Sequence, residues 1–76
     1  MTSEEILETI QELLETNLDI DPDDVELDST VSSLGIDSLD MVELICQLEE
    51  ECNVELDDTD DLVTIGDLVS AIEDIQ

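Results

Sequence analysis

The chain has 76 residues, which is near the lower limit for a domain that folds around one core of its own. It contains 25 acidic residues and no Lys, Arg or His, so its formal net charge is −25. Binding to nucleic acid or to an anionic membrane surface requires cationic side chains, so both functions are excluded. A serine catalytic triad is excluded because it requires histidine. An ordinary zinc site is nearly excluded, since it needs more ligands than two cysteines. The remaining classes are an acidic carrier or binding module, a polyanion mimic, a cation binder and a disordered acidic chain.

The apolar content argues for a folded domain. High net charge without aromatic residues favours disorder. However, 26 of the 76 residues are Leu, Ile or Val, well above the roughly 20% below which a charged chain is expected to stay unfolded. With no cationic side chain, electrostatic self-repulsion is offset only by burial, solvent and counterions.

The first predicted element is a helix over residues 3–16. One apolar stripe has helical spacing and consists of Ile6, Leu7, Ile10, Leu13 and Leu14. Thr2 and Glu5 have the spacing of a capping box, and Asn17 is a candidate for the left-handed residue that ends the helix.

Residues 18–37 form a long loop, because their Asp residues and Pro22 break helix and strand alike. Apolar residues that recur through the loop predict that it packs against the helices: Ile20, Val25, Leu27, Val31, Leu34 and Ile36. An EF-hand reading that starts at Asp19 fails, since Asp24 stands where glycine is needed and Thr30 where a bidentate glutamate is needed. No metal site is therefore assigned.

A second helix is predicted over residues 38–51, with Asp37 or Ser38 as its N-cap. On a helical wheel its apolar residues span an arc of about 220°, whereas an ordinary surface helix needs only about 100°. Leu39 and Cys46 border the acidic strip, so we expect a partner to cover them.

A short helix is predicted around residues 58–62 and a last helix over residues 65–75, which Thr64 and Asp67 cap. The fold class is therefore all-α: a small bundle of three main helices plus one short helix, with a long packed loop between helices one and two. Residues 1–76 are read as one domain. Cys46 and Cys52 lie too far apart on one helix for a disulfide, which indicates reduced thiols and a cytoplasmic protein.

The start of the second helix is the strongest candidate for a functional site. Gly35 provides a flexible entry, and Ser38 then lies at a helix N-terminus, where a phosphate ester is favoured. Ser38 is not in a nucleophile elbow, because no glycine follows it and no histidine exists to activate it. On geometry alone, an ordinary helix cap is the more common role for such a residue.

The stretch from Leu34 to Leu44 resembles the L-G-x-D-S-L-D-x-V-E-L signature of acyl carrier proteins. The resemblance continues at the acidic end of the second helix, Glu49-Glu50-Glu51, and at the start of the last helix, Thr64 to Leu68. It implies a carrier that is not an enzyme and that bears 4′-phosphopantetheine on Ser38, attached by a phosphopantetheinyl transferase. The pattern is most similar to free-standing carriers of fatty acid biosynthesis. Polyketide, peptidyl and D-alanyl carriers, and an acidic polyanion mimic, stay open as alternatives.

The resemblance also implies roles for further residues. As a monomer, the carrier would dock onto basic patches of enzymes that synthesise and transfer acyl chains. The expected docking residues are Asp37, Leu39, Asp40, Met41, Glu43, Cys46, Glu49 and Glu50. The wide apolar arc of the second helix also favours a cavity for the acyl chain, with an expected lining of Val42, Ile45, Leu48, Leu62, Ile65, Leu68 and Ile72. The alternative for each of these residues is an ordinary place in the core, which is the more common role for any single one.

Overall fold

The fold is a helical bundle, seen in a computed structural model that describes residues 2–56 and 62–75. Within these residues there are three α-helices and one 3-10 helix (Pro22–Asp24). The α-helices are α1 (Ser3–Leu18), α2 (Ser38–Cys52) and α3 (Ile65–Ile75). Helix α1 packs against both α2 and α3. The predicted all-α class is confirmed, and α3 has the predicted bounds. The short helix predicted at residues 58–62 falls almost entirely outside the described residues.

Helix α1 begins with the predicted capping box but ends later than predicted. Thr2 Oγ1 accepts from the Glu5 N–H at 3.3 Å, and Glu5 Oε1 accepts from the Thr2 N–H at 2.9 Å. Hydrogen bonds to the Glu5 carboxylate from the backbone N–H of Thr2, and secondarily from its side chain, hold the pKa of Glu5 below its usual value. The left-handed residue is Asp19 (φ 56°), not Asn17. Asn17 stays helical and donates to Gln47 Oε1 of α2 at 2.8 Å, a tertiary contact that the helical period does not reveal.

The core is built from all three helices and the loop. Its buried members are Ile6, Ile10, Leu14, Val25, Ile36, Leu44, Ile45, Leu48, Ile65, Leu68, Val69 and Ile72. The prediction of a packed loop is confirmed for five of its six apolar residues, since Val25 and Ile36 are buried and the other three, Ile20, Val31 and Leu34, pack against the core. The prediction is wrong for Leu27, whose side chain is 48% exposed.

Backbone hydrogen bonds fix the loop around Leu27 against the start of α3. The Leu27 carbonyl accepts from the Gly66 N–H at 2.9 Å, and the Ser29 carbonyl accepts from the Ile65 N–H at 2.9 Å. A Cβ at position 66 would lie 3.0 Å from the Leu27 oxygen, so glycine permits this close approach. An isolated antiparallel bridge between Thr30 and Thr64 continues the contact. The loop backbone is thus held at the start of α3 while the Leu27 side chain remains half in solvent.

The acidic part of the loop, predicted to break helix and strand alike, forms one 3-10 turn. Proline suits the first position of such a turn because its φ is already near the helical value. Asp21 Oδ1 caps the turn by accepting from the Asp23 N–H at 3.0 Å. The acidic segment therefore forms no α-helix, as predicted, but it does form one turn of the tighter 3-10 helix.

Within residues 2–56 and 62–75, no helix has the length and apolar character needed to cross a membrane.

Candidate functional site

The approach to α2 is a fixed turn. Gly35 has a φ of 78°, in the left-handed region, and its N–H donates to the Ser32 carbonyl at 3.1 Å. The next N–H, that of Ile36, donates to the Val31 carbonyl at 3.0 Å, and the Ile36 side chain is buried. The flexible entry expected at Gly35 is therefore a hydrogen-bonded turn, in which glycine is needed for its positive φ.

Asp37, and not Ser38, caps α2. Asp37 Oδ1 accepts from the Asp40 N–H at 2.8 Å, and the Asp37 carbonyl accepts from the Met41 N–H at 2.9 Å. Ser38 is the first residue of the helix and is exposed. Because the cap is supplied by the preceding residue, the Ser38 hydroxyl is not needed for helix initiation.

A pocket of about 270 Å³ opens beside Ser38. Apart from Asp37 and Ser38, its described lining is apolar: Val31, Ile36, Met41, Val42, Ile45 and Leu62. The pocket therefore combines one hydroxyl at a helix N-terminus with an apolar interior, an arrangement suited to a tethered group that has an apolar end.

The seven residues expected to line an acyl-chain cavity fall into two groups. Val42, Ile45 and Leu62 line the pocket beside Ser38. The other four are fully buried in the core cluster: Leu48, Ile65, Leu68 and Ile72. Sequence reasoning did not assign Val31 and Ile36 to this pocket, because the loop that holds them has no regular period. The one feature of the sequence that could have placed Ile36 in the pocket is its position two residues before Ser38.

The outer face of α2 carries an apolar strip between acidic residues. Leu39 is 75% exposed and Val42 58% exposed, and Cys46 is also exposed. Glu43 and Glu50 are exposed on the same helix. Because Val42 also lines the pocket, it joins the strip to the pocket.

The expected docking residues differ in exposure. Five are exposed: Asp37, Leu39, Glu43, Cys46 and Glu50. Three are half-buried: Asp40, Met41 and Glu49. Met41 lines the Ser38 pocket, and the Glu49 carboxylate accepts from the Leu56 N–H at 2.7 Å. The structure thus gives Met41 and Glu49 intramolecular contacts in addition to any contact with a partner.

Both cysteines are free thiols, as predicted. Burial raises the pKa of the half-buried Cys52 thiol, which makes it a weaker nucleophile at neutral pH. In the part of the chain that the structure describes, no three Cys, Asp or Glu side chains are arranged to hold a metal ion.

Comparison with known proteins identifies the family. Residues 8–72 match the family model described as a phosphopantetheine attachment site. The acyl carrier protein of Wolinella succinogenes is 41% identical over 71 residues, which cover 90% of this chain and 93% of that protein. The chain belongs to the acyl carrier protein family. The acyl carrier protein of Sulfurovum sp. is 37% identical over 73 residues, which cover 92% of this chain and 97% of that protein. The acyl carrier protein of Streptococcus pneumoniae is 35% identical over 69 residues, which cover 91% of this chain and 93% of that protein.

Membership confirms the resemblance found in the sequence and its main consequences. This carrier is not an enzyme, and its prosthetic group is a covalently attached 4′-phosphopantetheine. Its partners therefore include a phosphopantetheinyl transferase and enzymes that handle acyl groups.

Proposed function

We propose that this carrier bears its phosphopantetheine on Ser38 and presents acyl intermediates of fatty acid biosynthesis to partner enzymes. The observation that carries the proposal is the exposed Ser38 hydroxyl at the N-terminus of α2, beside an apolar pocket. The Asp37 cap leaves this hydroxyl available to an attaching enzyme.

The start of α2 fits the phosphate end of the group in one orientation, with the phosphate directed away from Asp37 and Asp40. The first turn of a helix carries partial positive charge, and its N–H groups point toward an attached phosphate. The carboxylates of Asp37 and Asp40 oppose this attraction, so a phosphodiester fits best when it points outward into solvent. When bound, the group supplies a terminal thiol that holds the acyl chain as a thioester.

The pocket beside Ser38 is the proposed shelter for the acyl chain. Val42, Ile45 and Leu62 supply apolar wall, and Met41, an unbranched side chain, can change rotamer to admit a chain of variable length. The four predicted residues in the core keep the bundle intact and are reached only if the helices separate. Binding of the chain in the pocket would stabilise the fold.

That shelter is tested by comparing the melting temperature of the phosphopantetheine form with and without an eight-carbon acyl chain. We expect a higher melting temperature for the acylated form and chemical-shift changes at Val42, Ile45 and Leu62. Equal melting temperatures with unchanged shifts at these three residues would exclude sequestration.

The outer face of α2 is the proposed docking surface. Its apolar strip of Leu39, Val42 and Cys46, flanked by Glu43 and Glu50, complements an apolar patch ringed by Lys and Arg on a partner. A net charge of −25 without a cation opposes self-association, so we propose a monomer. Two free cysteines suit the reducing cytoplasm.

The attachment residue is tested by intact mass after incubation with coenzyme A, magnesium and a broad-specificity phosphopantetheinyl transferase. We expect the wild type and the matched variant Ser32→Ala, which also lacks one exposed serine hydroxyl, to gain one phosphopantetheine. Ser38→Ala should gain none. A mass gain in Ser38→Ala would place the group elsewhere and overturn the assignment.

The pathway is tested with the phosphopantetheine form of the protein. We expect purified enzymes of fatty acid biosynthesis to load and elongate saturated acyl chains on it. Loading by an amino-acid-activating enzyme, without elongation by the fatty acid enzymes, would instead establish a peptidyl or D-alanyl carrier. A polyanion mimic would bind a basic protein equally well with Ser38→Ala and without the prosthetic group.

A further inference from the structure

A second groove lies between α1 and the loop. It has a volume of about 500 Å³ and shares no described lining residue with the pocket beside Ser38. Leu7 of α1, which is half-buried, and Leu27 of the loop, which is 48% exposed, contribute apolar surface to it. The buried Val25 also lines it. The groove therefore offers a leucine-sized apolar contact at a site distinct from the α2 face.

The groove is held in place by hydrogen bonds from both sides. On the α1 side, Gln11 Nε2 donates to the Pro22 carbonyl at 3.3 Å and to the Val25 carbonyl at 3.0 Å. On the other side, the Leu27 carbonyl accepts from the Gly66 N–H at 2.9 Å. Leu27 is thus an exposed leucine on a fixed backbone. A preformed apolar contact lowers the ordering cost of binding a partner.

The charge around the groove selects the occupant. Asp23, Glu26 and Asp28 line it, and all three are exposed. A second copy of this chain is opposed because each copy has a charge of −25 and no cationic side chain. Nucleic acid and anionic lipid are repelled for the same reason. A polypeptide with Lys or Arg on both sides of an apolar residue complements the carboxylates and the leucines together.

We propose that this groove is a second docking surface, which binds a partner segment that presents a leucine-sized side chain flanked by Arg or Lys. It would bind such a segment while the α2 face and Ser38 engage another enzyme. The two surfaces use different described residues, so the groove does not depend on the assignment of Ser38.

The probe for this surface is the capped tripeptide acetyl-Arg-Leu-Arg-amide, titrated into the full chain while amide and methyl chemical shifts are recorded. We expect saturable shifts of the Leu7 and Leu27 methyl groups and of the Gln11 side-chain amide. Acetyl-Arg-Ser-Arg-amide should bind at least about threefold more weakly, because it lacks the apolar side chain. The Ser38→Ala chain should bind the first probe with unchanged affinity, which separates this test from that of the attachment residue.

Matched variants separate the groove from the general charge of the protein. The triple variant Asp23→Asn, Glu26→Gln, Asp28→Asn and the control Glu51→Gln, Glu73→Gln, Asp74→Asn both remove three exposed carboxylates. We expect the groove variant to bind the probe at least about fivefold more weakly than the control. Leu27→Ser should also weaken binding, whereas Val63→Ser, which alters a side chain that is 56% exposed outside the described groove, should not.

Equal weakening by the two triple variants would overturn the proposal, because general attraction would then explain the binding. Shifts confined to the α2 face, or unchanged affinity in Leu27→Ser, would overturn it as well. Slower tumbling of the free chain that Leu27→Ser abolishes would identify a second copy as the occupant and would also refute a cationic partner.

Discussion

The Glu49 carboxylate accepts a 2.7 Å hydrogen bond from the backbone N–H of Leu56, seven residues further along the chain. Both residues are half-buried. Between them Asn53, at a φ of 56°, ends α2 in the left-handed conformation, and the Glu49 carbonyl accepts from the Asn53 N–H and, at 3.1 Å, from the Val54 N–H. Glu49 therefore holds the turn after α2 through both its side chain and its backbone.

The first prediction separates this structural role of Glu49 from its charge. Glu49→Ala removes the acceptor of the Leu56 N–H, whereas Glu50→Ala removes the same charge from an exposed neighbour. We expect Glu49→Ala to lower the free energy of unfolding by about 1 kcal/mol relative to Glu50→Ala. Urea denaturation of the two variants measures this difference. Equal stabilities of Glu49→Ala and Glu50→Ala would mean that the hydrogen bond to Leu56 contributes nothing to stability.

The second prediction concerns acid and the cap of α3. Asp67 Oδ2 accepts from the Thr64 N–H at 3.0 Å and from the Val63 N–H at 3.1 Å, and these backbone bonds hold the pKa of Asp67 below its usual value. A carboxylate with a lowered folded pKa contributes stability above its unfolded pKa of about 4 and loses it as the pH falls through the folded value.

Asp67→Asn should therefore be less stable than the wild type at pH 7 and at pH 5, and the difference should shrink below about pH 4. Denaturation curves at these pH values measure the effect. The control Asp74→Asn makes the same charge change near the other end of α3, where loss of an acidic group is favourable or neutral. A deficit for Asp67→Asn that is constant down to pH 2 would contradict this account of the cap.

The third prediction follows from the absence of cationic side chains. Sodium chloride and magnesium chloride should both raise the melting temperature, because counterions reduce repulsion among 25 acidic residues. Scanning calorimetry over a series of concentrations measures the rise. A fall in the melting temperature on addition of magnesium would contradict the prediction.

The fourth prediction concerns docking on α2. The dissociation constant for a phosphopantetheinyl transferase should increase at least about tenfold between 50 mM and 500 mM salt, since screening weakens attraction between exposed charges. Glu43→Gln with Glu50→Gln should weaken docking more than Glu73→Gln with Asp74→Asn, which removes the same charge from α3. Affinity that does not change with salt would refute electrostatic docking.

The fifth prediction distinguishes core from pocket. Ile72 is fully buried, whereas Val42 lines the Ser38 pocket and is 58% exposed. Ile72→Val, which deletes one methyl group, should cost about 1 kcal/mol of stability, whereas Val42→Ala, which deletes two, should cost about 0.5 kcal/mol or less. Urea denaturation tests this order. The reverse order would mean that Val42 belongs to the core.

Local features of the chain were predictable from the sequence. The capping box of Thr2 and Glu5 and the bounds of α3 depend on neighbouring residues and on the helical period, so pattern alone revealed them. The motif around Ser38 identified the start of α2 and the family, because its residues are contiguous. The total absence of cations excluded whole classes of function without any structure.

Other features depend on which surfaces meet in three dimensions. The apolar arc of about 220° on α2 shows that more than one side of the helix is apolar. It does not show which residues are buried: Leu48 lies in the core, whereas Val42 stays exposed beside Ser38. The loop has no period, so only the tertiary structure distinguishes its exposed Leu27 from the buried Val25 and Ile36.

Sequence by itself determined the three α-helices, the capping boxes that begin α1 and α3, and the carrier motif, because these arise from residues within a few positions of one another. Tertiary structure alone decided how the apolar residues divide among core, pocket and grooves. It also decided that Glu49 bonds to Leu56, because burial and long-range hydrogen bonds depend on which elements pack together.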